Sequence, residues 1–201
     1  QLPLPKGLVS DAGVETIDPA KDVDGLTATN VARLAQGRPG LRPFSPAGCV
    51  EILDRNVIDL AGKDVVIVGR SQLVGKPLAQ LALARNATVT VCHSRTADLA
   101  AHCRRADVLV AAVGVTQLVK GDWVRPGAVV VDVGINRGDD GKRVGDVDFD
   151  GAAANAAAIT PVPGGVGPMT IAMLLSNTLR ASAERQGLVE TVEGALQQGH
   201  A

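Results

Sequence analysis

Three observations predict an α/β protein built around a parallel sheet. Four short aliphatic runs, 65–68, 88–91, 108–112 and 129–133, are rich in β-branched residues and alternate with helical stretches. The first run ends in Gly69-Arg70-Ser71-Gln72-Leu73-Val74-Gly75, a glycine-bearing turn between a strand and a helix. Residues 161–170, Pro-Val-Pro-Gly-Gly-Val-Gly-Pro-Met-Thr, are so dense in glycine and proline that their backbone path is dictated. Taken alone, that last run also fits a plain rigid turn between a sheet and a terminal helix.

Residues 1–35 lack a self-contained core pattern and carry two polar punctuations, Pro5-Lys6-Gly7 and Lys21-Asp22-Val23-Asp24-Gly25. Residues 37–46 read as a connector. Ser45 suits a helix N-cap and Pro46 a first helical position, ahead of Cys49, Val50, Ile52 and Leu53. The aliphatic runs are nearly continuous, as strands covered on both faces should be. Leu73–Arg85 places Leu78, Leu81 and Ala82 at helical spacing, and a shorter helix is expected over Ala97–Arg105. Ala152–Ala158 is alanine-rich. Thr170–Arg185 reads as a helix with Ile171, Leu174, Leu175 and Leu179 on one face. Strand, helix, strand, helix, strand with right-handed crossovers is a Rossmann-like nucleotide-binding unit. The expected division is residues 1–43, the C-terminal part of a second α/β domain; 44–168, the nucleotide-binding domain; and 169–201, a returning helix with a tail.

Composition narrows the function classes. The 201 residues are 46% hydrophobic and 20% charged with a formal net charge of −1, which gives no argument for nucleic acid or a membrane surface as partner. No apolar run approaches the roughly 20 residues of a membrane span, and no basic-then-apolar leader is visible. Cys49, Cys92 and Cys103 are scattered without a C-x-x-C pair, which fits a reducing, cytoplasmic compartment. His93, His102 and His200 have no metal-ligand spacing, so no metal is expected. The opening Gln1-Leu2-Pro3-Leu4-Pro5, without an initiator methionine, reads like a protein entered partway through.

The turn Gly69–Gly75 departs from G-x-G-x-x-G, since Ser71 replaces the second glycine; a hydroxyl there can donate to a phosphate oxygen. An NAD enzyme usually carries an acid at the end of the second strand for the ribose 2′-hydroxyl, but this chain has His93-Ser94-Arg95-Thr96. Arg70 and Arg95 with Ser94 make a pocket for a 2′-phosphate, so NADP is the expected cofactor. The plainer reading is that both arginines are solvated loop residues. Gly114 and Gly134-Ile135-Asn136 end the third and fourth strands, where the nicotinamide half would lie. Asp132 and Asp146 read as turn and cap residues.

These pieces occur in one order: Lys21–Gly25, Val68-Gly69-Arg70-Ser71, Val74-Gly75-Lys76-Pro77, Cys92-His93-Ser94, Val131–Asn136, Gly145-Asp146-Val147 and the 160–170 loop. The set resembles the bifunctional methylenetetrahydrofolate dehydrogenase/cyclohydrolase family, from Gln1 to about Arg185. The resemblance implies NADP-dependent oxidation of 5,10-methylenetetrahydrofolate to the methenyl form, then hydrolysis to 10-formyltetrahydrofolate, in the one-carbon metabolism that serves purine synthesis. It implies that Asp24 holds the pterin ring. It places Gln1 beside the catalytic lysine, with Leu2 and the segment Pro163, Gly164, Gly165, Val166 and Gly167 against the folate. Gly69, Arg70, Ser71, Ser94, Arg95, Gly114 and Ile135 become the cofactor contacts, and the molecule a homodimer.

The family's Tyr-x-x-x-Lys motif falls upstream of the position of Gln1, and the sequence has no tyrosine. A molecule starting at Gln1 is therefore expected to have little cyclohydrolase activity and to leave the Ile171/Leu174/Leu175 face without partners. Phe44-Ser45-Pro46 stands where the family often has Cys-Thr-Pro, and Gln72 departs from its nucleotide turn. Two other readings stay open: an NADP-binding module without catalysis, and a different two-domain oxidoreductase.

Overall fold

The computed structural model describes residues 10–138 and 141–188. Its centre is a five-stranded parallel sheet in the order β2-β1-β3-β4-β7. Chain order runs α1 (Ser10–Glu15), α2 (Ala28–Ala35), α3 (Phe44–Arg55), β1 (Asp64–Val68), α4 (Gly75–Leu83), β2 (Thr88–Cys92), α5 (Leu99–Arg104) and β3 (Val108–Ala111). There follow β4 (Val129–Asp132), a hairpin of β5 (Asn136–Arg137) and β6 (Arg143–Val144), α6 (Phe149–Ala153), β7 (Ala158–Ile159) and α7 (Val166–Gln186).

Both sheet faces are covered, so β1, β3 and β4 are apolar along nearly their whole length. Val65, Ile67, Val108, Val110 and Val131 pack on one side with Cys49, Leu53 and Leu78 from α3 and α4. Val66, Val68, Leu109 and Val130 pack on the other with Cys92, Cys103, Val119 and Ala152. β2 does not share that burial. It is the sheet's edge, and Val91 on it is exposed. The expectation of cover on both faces fails there because an edge strand has one neighbour only.

Local chemistry shifted four other boundaries. Ser45 lies inside α3 and is not its cap; Pro43 holds the cap position with no side-chain bond. Ser45 Oγ instead meets Thr170 Oγ1 at 3.1 Å, tying α3 to α7. The glycine–proline loop ends at Gly165, so Val166 and Gly167 already form the first turn of α7. A proline is tolerated in that turn because its missing N–H has no helical partner there, which is why Pro168 does not delay the helix. α4 starts at Gly75 and α5 at Leu99, each later than its apolar spacing suggested.

The predicted apolar face of α7 is not its buried one. Ile171 is 63% exposed and Leu175 65%, while Val166, Ala181 and Ala183 are buried. The helix is held by α3 and by one polar clamp. Asn177 Nδ2 donates to the carbonyls of Val23 and Arg42, each at 2.7 Å, joining α7 to the Lys21–Gly25 loop and to the segment before α3. Replacing Asn177 by Leu strands both carbonyls. The expected cost is about 2 kcal/mol, read as a lowered Tm in thermal unfolding, with Asn177→Gln intermediate.

The cysteines are free and buried. Burial pushes the thiols of Cys49 and Cys103 up to about 12, so they behave as core residues. Among the described residues no helix is long and apolar enough to cross a membrane, and no cluster of His, Cys, Asp or Glu has the makings of a metal site.

Candidate functional site

The carboxyl ends of β1, β2, β3 and β4 open on one edge of the sheet, where a doubly wound fold binds its ligands. After β1 the chain turns through Gly69 into α4. Gly69 has φ +130°, and a Cβ on it would run into the carbonyl of Ala112. A Cβ on Gly75 would run into the carbonyl of Gly69. The two glycines therefore let strand, turn and helix close on one another. Ser71 Oγ accepts from the Val74 amide at 3.0 Å and from the Gly75 amide at 3.5 Å. Its first task is thus to brace the turn, and only its proton is left for a phosphate. The amides of Arg70, Ser71, Gln72 and Leu73 donate to no protein acceptor among the described residues. Free amides at a helix start are a ready seat for phosphate.

Val68 pairs with Cys92 across β1 and β2, so Arg70 and Ser94 each follow that pair by two residues at the ends of neighbouring strands. Arg70, Ser94 and Arg95 are exposed, and neither guanidinium has a carboxylate partner among the described residues. The loop itself is ordered by His93: its amide donates to Thr96 Oγ1 at 2.8 Å, and its Nδ1 accepts from the Arg95 amide at 3.1 Å.

The two buried aspartates at this edge are structural, as the sequence suggested. Asp132 accepts from the amides of Gly134, Asp146 and Val147 at 2.9–3.0 Å. Burial nevertheless raises its carboxyl, aided by the charge of Asp146, over the opposing pull of those three amides. Asp146 accepts from the amides of Val113 and Gly114 and from Asn136 Nδ2. Together they lace the ends of β3 and β4 to the β5–β6 hairpin. The Gly114 amide is spent on this bond, so that glycine offers a ligand open space at φ +67° and no donor.

Beyond β4 lies a cavity of about 430 Å³. Its walls are Gly134 and Ile135, the loop Pro161–Gly165, the start of α7 as far as Ile171, and Arg143. The structure thus brings Ile135 together with Pro163, Gly164, Gly165, Val166 and Gly167. Ile135 is 66% exposed, an apolar side chain presented to the cleft.

Asp24 does not line this cavity. It sits in the loop held by Asn177, and Ile171 to Asn177 is about 9 Å along the α7 axis. Within the Lys21–Gly25 motif the two carboxylates have opposite fates. Asp22 accepts from the amides of Leu26 and Thr27, from Thr27 Oγ1 and from Asn30 Nδ2. Burial works to raise its carboxyl, but these bonds, Asn30's foremost, outweigh it and hold the group low. Asp24 has no hydrogen-bond partner among the described residues, and partial burial followed by repulsion from Asp22 raises its carboxyl. Gly25 fixes this arrangement at φ +67°, with room for a Cβ denied by the backbone of Arg42 at 2.7 Å. Gln1 and Leu2 lie outside the described residues.

Residues 43–186 match the family described as tetrahydrofolate dehydrogenase/cyclohydrolase, NAD(P)-binding domain. The chain belongs to this family. The bifunctional FolD 2 protein of Geobacter sulfurreducens is 58% identical over 182 residues, which are 90% of this chain and 64% of that one. The FolD protein of Sorangium cellulosum is 59% identical over 186 residues, 92% of this chain and 65% of that one. The chain therefore spans just under two thirds of the length of these curated relatives. The crystal structure of the bifunctional FolD enzyme from Campylobacter jejuni is similar at TM-score 0.91 and 49% identity, covering 92% of this chain and 66% of that chain. The Trypanosoma brucei FolD, solved with NADP cofactor and an inhibitor, is similar at TM-score 0.85 and 42% identity, covering 90% and 64%. As a member of the tetrahydrofolate dehydrogenase/cyclohydrolase family, the chain carries that family's NAD(P)-binding domain.

Sequence reasoning missed Arg143 and the hairpin that carries it. Strands of two residues are too short to print a period-two pattern, although the Gly138-Asp139-Asp140-Gly141 turn signal between them could have found the hairpin.

Proposed function

We propose that this chain oxidises 5,10-methylenetetrahydrofolate with NADP⁺, and that the protein to which it belongs also hydrolyses the methenyl product to 10-formyltetrahydrofolate. The observation that carries the reading is the pair of unsatisfied polar groups at the two ends of the site. Arg70 and Arg95 are cations without a carboxylate, and Asp24 is a carboxylate without a donor. The turn fits a dinucleotide: two glycines clear the backbone, four amides donate to no protein acceptor among the described residues, and no acid follows β2 to prefer a ribose 2′-hydroxyl.

NADP⁺, when bound, supplies the hydride acceptor. The protein's own residues bind and orient. Arg70, Ser94 and Arg95 take the 2′-phosphate, the amides from Arg70 to Leu73 the pyrophosphate, and Ile135 packs beside the nicotinamide. The side-chain-free wall at Gly164–Gly165 lets the folate approach closely. Asp24 accepts from a pterin ring N–H and the 2-amino group, a bidentate fit that needs the carboxylate ionised. Positioning of this kind is most of what the oxidation asks, since the folate nitrogen lone pair expels the hydride. Hydrolysis needs a group that holds and moves a proton, and Asp132, bonded to three amides, is unsuited to it.

The same reading makes residues 44–168 the nucleotide-binding domain, 1–43 part of the folate domain and 169–201 the returning helix with its tail. It further proposes a cytoplasmic homodimer that feeds purine synthesis. Arg70→Ala is expected to weaken NADP⁺ about tenfold while leaving NAD⁺ within about twofold, measured by titration of each cofactor. Equal weakening of both would remove Arg70 from the 2′-phosphate.

A further inference from the structure

The cavity beyond β4 holds one cation that the folate and cofactor assignments above leave unused. Arg143 lines the wall, is exposed, and has no side-chain partner among the described residues. Directly across the β5–β6 hairpin from it stands Arg137, also exposed and also without a partner there. Residues paired in antiparallel register share a face, and like charges in that position destabilise a hairpin. The bonds that run from the hairpin through Asp146 to Asp132 hold the two arginines in register against that repulsion. An anion lying between or against the two guanidiniums would turn this repulsion into binding.

The cavity favours that anion. The first turn of α7, a helix of 21 residues, points into it with the positive end of its dipole. The one acid on its walls, Asp132, has its oxygens occupied by backbone amides. The rest of the lining is largely aliphatic, proline or glycine.

Geometry separates this anion from the cofactor's phosphates. The free amides that seat a pyrophosphate follow β1, whereas the arginine hairpin follows β4, with β3 between them. Two strand spacings are about 10 Å. Arg143 shares its cavity with the Pro163–Gly167 wall, which the reading above gives to the folate, and Arg137 is its register partner on the hairpin.

Resting on the folate reading, we propose that Arg137 and Arg143 form a two-guanidinium clamp for the carboxylates of the substrate's glutamate tail, and that the clamp sets preference for the tail's length. With Asp24 gripping the pterin and the clamp gripping the tail, the bound molecule is fixed at both ends along the face of α7.

The test is calorimetric binding to the protein at its full natural length with NADP⁺ present, using tetrahydropteroic acid and tetrahydropteroyl-triglutamate. Arg143→Leu is expected to weaken the triglutamate about tenfold and leave the pteroate and NADP⁺ within about twofold; Arg143→Lys, which keeps charge without the fork, should fall between. Equal effects on the two pteroyl ligands, no effect on either, or a loss confined to NADP⁺ would overturn the clamp. Should Arg143→Leu fail to fold, Arg143→Lys decides by the same comparison. A wild-type protein that binds neither pteroyl ligand defeats the folate reading itself, before any substitution is made.

Discussion

Gly75→Ala is expected to weaken cofactor binding about 100-fold. The added methyl would occupy the space of the Gly69 carbonyl and crowd the Arg70 amide, which are backbone atoms fixed by β1 and its neighbours. Backbone cannot swing aside as a side chain can, so the turn must open. Forcing a methyl into such a contact costs about 3 kcal/mol, felt both as lost stability and as about 100-fold weaker NADP⁺. The thermal melt and a cofactor titration read these two effects separately. Gly62→Ala is the control: a Cβ there meets nothing, and its φ of +72° confines any cost to local strain. It should leave NADP⁺ affinity unchanged.

The second large effect belongs to Asp24. Asp24→Asn keeps the shape and removes the charge, so a folate ligand should bind about 100-fold more weakly while NADP⁺ is unaffected. The ligand-free protein should respond in the opposite sense. The Asp24 carboxyl is raised by burial and by Asp22, which means that the folded state resists its ionisation. A raised acid holds its proton more tightly folded than unfolded, so its contribution to stability is present at low pH and lost as pH rises past its folded value. At neutral pH the charge is a burden, and Asp24→Asn should raise Tm slightly. Asp22→Asn should lower it, because the bonds from Asn30, Thr27 and Leu26 favour the ionised form. Folate affinity in the wild type should fall as pH drops through the raised Asp24 range. A residue that weakens the fold and yet strengthens binding is the mark of a functional carboxylate.

Much of this was legible from the residues themselves. β1, β3 and β4 are short, β-branched and buried on both faces, so their pattern survives tertiary context. The crowding at Gly69 and Gly75 is the physical reason for glycines that the sequence shows only as letters. Other features were not legible. The start of α7 was misread because a proline in a first helical turn looks like loop. Its apolar face was legible as amphipathy, and the exposure of Ile171 and Leu175 agrees with the expectation that a chain starting at Gln1 leaves that face without partners. Which of the two aspartates in Lys21–Gly25 is free depends on Asn30 and Thr27 folding back onto Asp22, a contact that spacing alone does not reveal. Arg143 reaches the cavity only because Asp132 and Asp146 pin the hairpin beneath it.

Tracing the hydrogen itself tests the proposed site most directly. The protein at its full natural length is given NADP⁺ and 5,10-methylenetetrahydrofolate deuterated at the bridging methylene, and the reduced cofactor is analysed by mass spectrometry. Direct transfer across one cleft predicts deuterium in the NADPH formed. Reduced cofactor without deuterium, or none formed with either NADP⁺ or NAD⁺, would contradict a site in which Asp24, the Gly164–Gly165 wall and the Gly69–Gly75 turn hold the two molecules face to face.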